Sequence, residues 1–472
     1  MKDSFTQSAF AKVLLLVALT LLLGLPLAHI GGLIDERGAS RHHAAQELAS
    51  SHAGQQVLVG PVLVVPYVER WTETELDAKG KVKSRTPRIR EAVHLVFPER
   101  MALDGKLAPQ QRYRGIFSVL FYDLEATLAG HFPPLQLSAL PREQKDSVVE
   151  AQPAHLAFSV SDVRGIQGQP ALRVEGEALK FLPGVPRLPQ GSVLAQGIHA
   201  QLPVPLHQAW AAGKPLAYDL RLALVGQERF AVAPIADETS AHLASSWPHP
   251  SFGGRFLATR RNVTDAGFQA TWAVSSLVSP ARAQLLADLQ AASPQAARLA
   301  GLHTFDVSLV EPLNVYSLTD RAIKYGLLFV ALTLMATFMF ELFRQLRLHP
   351  LQYGLVGLSI ALFFLLLLAL SEKIEFPIAY AGAAAASVLL LMVYFSAVLR
   401  GWRRGVGLGA FVGVLYAALY GLLASEDNAL LLGSLLLFGL LAVLMVMTRR
   451  VDWYAMGARL RPTGATLAVD ER

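Results

Sequence analysis

The sequence predicts a membrane protein with six transmembrane helices: an N-terminal helix, a large, mostly antiparallel, sandwich-like β domain, and a C-terminal bundle of five helices. Hydrophobic residues make up 53% of the 472 residues and charged residues only 17%, against about 25% in soluble domains. Six apolar runs approach or reach the roughly 20 residues that cross a bilayer core. Between the first two runs, apolar residues recur with period two, which is typical of β-strands.

The first apolar run, residues 13–34, predicts the first transmembrane helix, preceded by a cytoplasmic segment of residues 1–12. A cleaved signal peptide is the alternative interpretation. The uncharged stretch 13–28 is long for a signal, and no clean A-x-A site follows it, so we favour a retained anchor. Residues 34–56 are predicted to leave the membrane as a helical stalk.

The β domain is predicted to span residues 35–320 as a sandwich, or alternatively as two packed β subdomains. Alternating stretches such as VLVGPVLVVPYV (57–68) and LAYDLRLALVG (216–226) are bounded by turn residues, which indicates antiparallel strands. The Ala/Leu/Gln-rich stretch 281–300 predicts a minor pair of short helices around a proline. Because strands and helices do not alternate regularly, a Rossmann-type or TIM architecture is disfavoured.

The remaining apolar runs predict a five-helix bundle within residues 321–448, followed by a cytoplasmic tail of residues 449–472. The stretch SLTD (317–320) has the form of a helix capping motif, so it is predicted to start the first of these helices. The five predicted helices are 326–343, 353–370, 376–399, 406–424 and 429–448.

The distribution of basic residues predicts the orientation in the bilayer. Two of the connecting loops, 371–375 and 425–428, contain Lys373 as their one basic residue. The opposite ends of the helices carry seven arginines: Arg344, Arg347, Arg400, Arg403, Arg404, Arg449 and Arg450. Because cytoplasmic loops hold the Lys/Arg excess, both termini are predicted to be cytoplasmic and the β domain periplasmic.

Several classes of site are not supported by the composition or the motifs. The chain has no cysteine, which excludes disulfides and thiolate metal sites, and no Lys/Arg block dense enough to indicate nucleic-acid binding. The HExxH, Walker A and EF-hand motifs are missing, so no metal or cofactor is predicted. His42, His43 and His52 cluster in the predicted stalk, but no carboxylate completes a metal-binding spacing, and we interpret them as solvated linker histidines.

The stretch SSWPHPSFGGRF (245–256) is the main candidate for a functional loop in the β domain. Its two prolines restrict their own backbone and that of the residues before them, so His249 sits in a stiff, extended segment. The functional interpretation is an imidazole presented for a ligand, a partner or acid–base chemistry. The structural interpretation, which we favour, is a rigid β connection over buried aromatic side chains. The candidate residues are Trp247, Pro248, His249, Pro250 and Phe252.

Glu341 lies near the predicted cytoplasmic end of the helix 326–343. Carboxylates inside a membrane are costly and often functional. With Arg344, Arg347 and His349 it forms a predicted polar cluster at the membrane interface, and Arg344, three residues away, is its predicted partner. This cluster is a candidate proton or ligand site. The alternative, which we favour, is an interfacial ion pair that anchors the helix.

Small residues repeat every four positions along the predicted helix 406–424 and just before it. A stripe of this kind lets another helix approach closely. It therefore predicts a helix-packing seam, either within the chain or between the chains of a homo-oligomer. The residues of the seam are Gly405, Gly409, Gly413, Ala417 and Gly421.

Five sequence blocks carry a resemblance to a known family. They are SSWPHPSFGGRF (245–256), GFQATW (267–272), YSLTDRAIKYGLLFVALT (316–333), FRQLRLHPLQYGLVGLS (343–359) and FFLLLLALSE (363–372). Together they resemble the CreD family of bacterial inner-membrane cell envelope integrity proteins, over the whole chain and most densely between residues 245 and 375. The resemblance implies a plasma-membrane protein of Gram-negative bacteria with a periplasmic domain, associated with CreBC-type control, envelope maintenance, colicin tolerance and β-lactam response. It implies no catalytic mechanism.

The resemblance and the residues together lead us to expect a non-enzymatic inner-membrane protein of the envelope stress response. Its periplasmic domain is expected to bind an unidentified envelope protein, lipid or glycan. One alternative is an envelope-modifying enzyme that uses His249 as acid or base, although only Ser251 is nearby and no G-x-S-x-G elbow is present. The other is a lipid- or solute-handling protein that works through the helix bundle, with Glu341 as its key residue.

Overall fold

The chain forms two compact units. The computed structural model describes residues 9–76, 82–289, 299, 301–311, 315–344, 348–399, 401–425 and 429–449. We call His42–Pro312 the β domain, and Met1–Arg41 together with Leu313–Arg472 the helical unit.

The N-terminal helix α1 runs from Ala9 to Ser51 without interruption. Large apolar side chains on one face of it are buried, while neighbouring leucines on other faces are more than half exposed. An apolar helix that is hydrophobic on all faces is typical of a membrane span. The buried positions recur every three or four residues and are Leu23, Leu27, Ile30 and Ile34.

The β domain contains seventeen strands in its described residues. In chain order they are β1 (Gln56–Leu76), β2 (Val82–Val96), β3 (Arg100–Arg114), β4 (Phe117–Phe132), β5 (Val148–Ala151), β6 (His155–Val160), β7 (Ile166–Val174), β8 (Glu177–Leu179), β9 (Leu182–Pro183), β10 (Ile198–Gln201), β11 (Leu216–Gln227), β12 (Arg229–Val232), β13 (Glu238–Ser245), β14 (Pro250–Gly254), β15 (Arg260–Thr264), β16 (Gly267–Ser275) and β17 (Phe305–Leu309).

These strands form two sheets. The first has nine strands in the order β14-β17-β12-β1-β6-β10-β9, with β2 and β5 also paired to β1. The second has eight strands in the order β15-β16-β13-β3-β4-β11-β7-β8. Neighbouring strands are antiparallel except for β1 with β12 and β3 with β13. Alternate residues of β3 are buried and exposed, as expected for a sheet with one face on a core.

The main hydrophobic core lies between the two sheets, which makes the β domain a sandwich. Phe158, Phe230 and Phe305 of the first sheet pack with Leu220 and Trp272 of the second. A second core covers the other face of the first sheet and includes side chains of β1, of the connection after β9, and of the helix α3. The sequence prediction of a mostly antiparallel, sandwich-like β domain is therefore confirmed.

Two short helices accompany the sheets: α2 (Val204–Ala211) and α3 (Ala281–Asp288). α3 corresponds to the first of the two short helices predicted within 281–300, and most of the second lies outside the described residues. α2 was not expected from the sequence. It carries Trp210, which is fully buried and donates from Nε1 to the carbonyl of Pro133 at 2.6 Å.

The helical unit continues after the β domain with a bent pair of helices followed by longer apolar helices. They are α4 (Val315–Lys324), α5 (Gly326–Arg344), α6 (Pro350–Ser371), α7 (Phe376–Val398), α8 (Trp402–Ala424) and α9 (Ala429–Thr448). The capping prediction for residues 317–320 is wrong, because these residues lie inside α4. The chain bends by 44° between α4 and α5.

Four of the described helices are long and apolar enough to cross a membrane: α1, α6, α7 and α8. The number rises to five if the bent pair α4 and α5 forms one span. The sixth predicted span has the same bounds as α9, several of whose side chains lie outside the described residues. An N-terminal apolar helix, a large β domain and several C-terminal apolar helices are thus confirmed.

Candidate functional site

The Trp-Pro-His-Pro segment lies where the chain passes from one sheet of the sandwich to the other. It connects β13, in the eight-stranded sheet, with β14, an edge strand of the nine-stranded sheet. The two prolines suit this position, because a fixed, extended backbone sets the direction of the crossover.

Hydrogen bonds hold this segment to Val310, the residue that follows β17. Trp247 Nε1 donates to the carbonyl of Val310 at 2.9 Å, and the Val310 amide donates to the carbonyl of His249 at 3.0 Å. The Trp247 amide in turn donates to Ser245 Oγ at 3.2 Å. The backbone carbonyl of His249 therefore makes the hydrogen bond that holds this residue in the fold, and its ring does not take part in that bond.

Gly253 and Gly254, which follow this segment, are required by the close pairing of β14 with β17. A Cβ on Gly253 would lie 2.7 Å from Oδ1 of Asp306, whose carboxylate is buried and paired with Arg229 at 2.7 Å. Gly254 has a φ of +83°, and its Cβ would lie 2.2 Å from the carbonyl of Thr304. Only glycine combines that dihedral angle with so close an approach of the backbones.

The ring of His249 is exposed and meets Trp247 edge-on, with centroids 6.2 Å apart. Within the described residues, no hydrogen bond joins this ring to an acid or a hydroxyl. Trp247 and Phe252 are partly buried against the main core, and the Phe252 ring packs edge-on against Phe268 and Trp272. The arrangement can present an imidazole and an aromatic edge to a ligand, but it lacks the orienting group of an acid–base site.

The histidines of the predicted stalk lie on the last turns of α1 and directly after it. His52 is exposed, and its ring centroid is 6.2 Å from that of Phe121. Among the residues that the structure describes, no group of three or more His, Asp or Glu side chains is arranged to hold a metal ion.

Glu341 is the centre of a buried polar cluster in the helical unit. Its side chain is 4% exposed and accepts hydrogen bonds from Tyr353 Oη, from Lys12 Nζ and, at 3.2 Å, from the amide of Leu348. Lys12 comes from α1, Tyr353 from α6 and Glu341 from α5. The cluster therefore connects three helices.

The other members of the predicted interfacial cluster are placed differently. The side chain of Arg344 and all of Arg347 lie outside the described residues. His349 is exposed and acts as the N-cap of α6: its Nδ1 accepts from the amide of Leu351 at 3.2 Å, and its own amide donates to Gln352 Oε1 at 2.9 Å. His349 thus stabilises the start of α6 and does not join the Glu341 cluster.

Sequence reasoning missed Lys12 and Tyr353 as partners of Glu341. Lys12 is 329 positions from Glu341 along the chain. Tyr353 resembles any interfacial aromatic residue. No local pattern joins the three, so only the packing of the helices could reveal the cluster.

The predicted glycine seam on α8 is divided into two parts. Gly405 and Gly409 are buried, and a Cβ on either would lie 2.1 Å from a side-chain atom of α7, Ser396 Oγ or Met392 Cγ respectively. Ala417 and Gly421 are exposed, and a Cβ on Gly421 would meet nothing within 4 Å. The first part of the seam packs within the chain, and the second part is open.

Gly413, between the two parts, borders a groove of about 500 Å³ between α7 and α8. Small residues line both walls, including Ala381 and Ala385 on α7 and Ala417 on α8. Two of its lining tyrosines are hydrogen-bonded within the chain: Tyr380 Oη donates to the carbonyl of Tyr416 at 2.7 Å, and Tyr416 Oη lies 3.0 Å from Ser387 Oγ. The groove is an apolar surface that fits a helix or an acyl chain.

Two polar sites of the β domain were not anticipated. The first is Glu69, which is fully buried and accepts from the amides of Glu143 and Gln144 at 2.8 and 3.1 Å and from Ser147 Oγ at 2.7 Å. Burial raises the pKa of this carboxyl, but the hydrogen bonds and the charge of Arg90 outweigh that effect, so its pKa lies below its usual value. Glu69 thereby holds the connection between β4 and β5 against β1.

The second is a pair of histidines in the nine-stranded sheet. The rings of His155 and His199 meet edge-on with centroids 5.3 Å apart, and His199 Nδ1 lies 2.5 Å from the carbonyl of Gly184. Burial, followed by the charges of His199 and Arg187, lowers the pKa of His155. Protonation of this ring is therefore less favourable in the folded domain than for a histidine in water.

Comparison with known proteins places these features in context. A family model described as Inner membrane protein CreD matches residues 8–454. The Inner membrane protein CreD of Escherichia coli (strain K12) is 36% identical over 446 residues, which cover 94% of this chain and 94% of that protein. Among solved structures, an M1 zinc metallopeptidase from Deinococcus radiodurans aligns with 10% identity over 45% of this chain and 41% of its own, at a TM-score of 0.20. A TM-score that low supports no statement about fold or activity.

Proposed function

Since the chain belongs to the family of the inner membrane protein CreD, we propose that its β domain is a periplasmic binding domain that serves envelope integrity under stress. The ligand is an envelope protein, lipid or glycan. The helical unit anchors the binding domain in the inner membrane, with both termini in the cytoplasm. The arginine distribution supports this orientation.

The observation that carries the proposal is the presentation of His249 beside Trp247. Hydrogen bonds to Val310 hold the backbone of this segment, so the exposed imidazole and the partly buried indole keep a defined relative position. Rigid aromatic and polar side chains in a fixed loop are suited to recognition, because little conformational entropy is lost on binding. No acid or nucleophile among the described residues bonds the ring, so binding fits the geometry better than acid–base catalysis.

Replacing His249 with Ala and, separately, with Gln tests the role of this surface. Both variants are expected to reach normal membrane levels, because the ring is exposed and the backbone makes the structural hydrogen bonds. Envelope-stress protection is expected to fall with Ala and to be retained in large part with Gln, which keeps a hydrogen-bonding group. Full protection with both variants would remove His249 from the binding surface. Equal loss with both would favour the enzyme alternative, since Gln cannot exchange a proton at neutral pH.

Binding itself is tested by capture. The full chain, purified in lipid nanodiscs, is incubated with envelope extracts from stressed cells, and the captured material is compared between the wild type and His249→Ala. A component enriched by the wild type and reduced at least fivefold by the variant is the expected result. Equal recovery by both proteins would contradict a binding role for this loop.

A second candidate function is lipid or solute handling by the helical unit. The buried Glu341 cluster favours it, because a carboxylate among membrane helices is often a site of transport or proton movement. This candidate requires that Glu341→Gln impair envelope protection more than any change in the β domain, at equal protein level.

The open part of the seam supports an additional role for the bundle. Gly413, Ala417 and Gly421 leave room on α8 beside the groove. We propose that a transmembrane helix, from a second copy or from a partner protein, packs there.

A further inference from the structure

Glu372 sits in a second polar cluster that is built like the Glu341 cluster. It is the C-cap residue of α6, 12% exposed, and its Oε1 lies 3.6 Å from Arg37 Nε and accepts from Tyr316 Oη at 3.5 Å. We call Lys12, Glu341 and Tyr353 the Lys12 cluster, and Arg37, Glu372 and Tyr316 the Arg37 cluster. Each contains a cation from α1, with one carboxylate and one tyrosine from the C-terminal helices, and the charge of Arg41 of α1 also acts on Tyr316.

The two cations lie close to the two ends of the membrane-spanning part of α1. Lys12 and Arg37 are 25 residues apart on one uninterrupted helix, which corresponds to about 38 Å at 1.5 Å per residue. A whole bilayer, including its headgroup regions, is about 40–45 Å thick. Each cluster therefore fits one boundary of the membrane.

Between the clusters, α1 packs against the C-terminal helices through apolar side chains. A Cβ on Gly357 of α6 would lie 2.1 Å from Leu23 Cδ1, and a Cβ on Gly326 of α5 would lie 3.1 Å from Leu27 Cδ2. Leu23 thus occupies a notch that a larger residue at 357 would fill. In lipid, close packing of this kind and interhelical polar contacts both hold a helix against its neighbours, and the polar contacts add a charge partner that lipid tails do not supply.

The two clusters differ in strength. In the Lys12 cluster the carboxylate is 4% exposed, the cation 30% exposed, and a backbone amide adds a third donor. In the Arg37 cluster the cation is 50% exposed and its contact is longer, at 3.6 Å. Exposed ion pairs contribute little, whereas removal of one partner from a buried pair leaves an uncompensated charge.

We propose that the Lys12 cluster is the anchor that keeps α1 docked on the C-terminal helices, and that it contributes more to docking than the ion pair of Arg37 with Glu372. Glu341 commits α1 to the bundle, because Lys12 is the basic partner of its buried carboxylate among the side chains that the structure describes. The ion pair of Arg37 with Glu372 is longer, and its cation is more exposed than Lys12.

Crosslinking tests this proposal in the full-length chain. The chain has no cysteine, so Leu19→Cys with Gly354→Cys forms a unique pair; a Cβ on Gly354 lies 3.9 Å from Leu19 Cδ1. In membranes, a short thiol crosslinker joins the pair when α1 is docked. Lys12→Met is expected to lower the yield at least twofold, and the charge exchange Lys12→Glu with Glu341→Lys to restore at least half of the loss. Arg37→Met, the matched control, is expected to change the yield by less than a fifth.

Equal crosslinking in Lys12→Met and in the wild type would overturn the proposal, as would an equal loss in Arg37→Met. If a charged variant fails to accumulate, thermal melting of Lys12→Met, Glu341→Gln and their combination in detergent decides the question. The combined variant is expected to melt higher than Lys12→Met alone, because it removes the unpaired carboxylate. A combined variant whose melting temperature is lowered by the sum of the two single effects would show no coupling and reject the cluster as the anchor.

Discussion

Gly253 and Asp306 face each other across the strands β14 and β17 so closely that a Cβ on the glycine would lie 2.7 Å from the carboxylate. Asp306 is buried and paired with Arg229 of β12. Gly253 of β14 therefore leaves the room that the ion pair between Asp306 of β17 and Arg229 of β12 occupies.

Gly253→Ala is predicted to destabilise the β domain. The added carbon displaces the Asp306 carboxylate from Arg229, and overpacking of this kind costs about 1–3 kcal/mol. Thermal unfolding of the purified full chain measures the effect. Gly301→Ala is the control, since a Cβ there meets nothing within 4 Å. Equal melting of both variants would show that the strands adjust without loss.

The β domain is predicted to lose stability in acid through His155. Because the pKa of His155 is lowered on folding, the unfolded chain binds the proton more tightly, so stability falls as the pH drops below the ordinary histidine pKa of about 6.5. His155→Gln removes this proton uptake, and its melting temperature is expected to depend less on pH between 7 and 5 than that of the wild type. A parallel pH profile for the two proteins would contradict the assignment.

Glu69 is predicted to act in a lower pH range. Its pKa is lowered on folding, so its contribution is present above the ordinary glutamate pKa of about 4.3 and is lost as the pH falls through the lower folded value. Glu69→Gln should therefore lower the free energy of unfolding at pH 7 by about 2 kcal/mol, because it impairs a buried network. The difference from the wild type should shrink near pH 3. The exposed Glu125→Gln is the control and should leave the free energy of unfolding unchanged at both pH values.

The proposed orientation predicts that the β domain and the start of α8 face opposite sides of the membrane. Leu277 of the β domain is 93% exposed and Trp402 at the start of α8 is 68% exposed, so a cysteine at either position is reachable from its own side. In cells with a permeabilised outer membrane, a membrane-impermeant maleimide should label Leu277→Cys at once. Trp402→Cys should be labelled only after the inner membrane is opened. The reverse pattern would invert the orientation.

The two parts of the glycine seam are predicted to respond differently to a large side chain. Gly409→Leu should reduce the amount of folded protein severalfold, because Met392 of α7 occupies the space that the new side chain needs. Gly421→Leu should leave folding intact, since nothing lies within 4 Å of that position. Crosslinking to a second copy or to a partner helix, measured per folded molecule, should fall only in Gly421→Leu. Unchanged crosslinking would place the partner elsewhere.

Sequence periodicity predicted most of the architecture, and its failures are instructive. β3 is not among the strands that the sequence predicted, because Gly105 and Pro109 are residue types that disfavour strands. Alternate residues of this strand are nevertheless buried in the sandwich. Pairing with β4 and β13 on its two sides stabilises a strand that its own residues would not favour. The start of α4 was misplaced for a related reason: the capping pattern at 317–320 is present, but the buried face of the amphipathic helix extends to Tyr316.

By itself, the sequence determined the class of the protein, the location of its apolar helices and the strand-rich nature of the domain between them. Those properties depend on local hydrophobicity, which each stretch of chain carries regardless of its neighbours. Only the tertiary structure decided that Glu341 pairs with Lys12, that Gly253 faces Asp306, and that half of the α8 seam is used within the chain. These contacts, up to 329 positions apart along the chain, arise from the packing of whole helices and strands, and no local pattern encodes them.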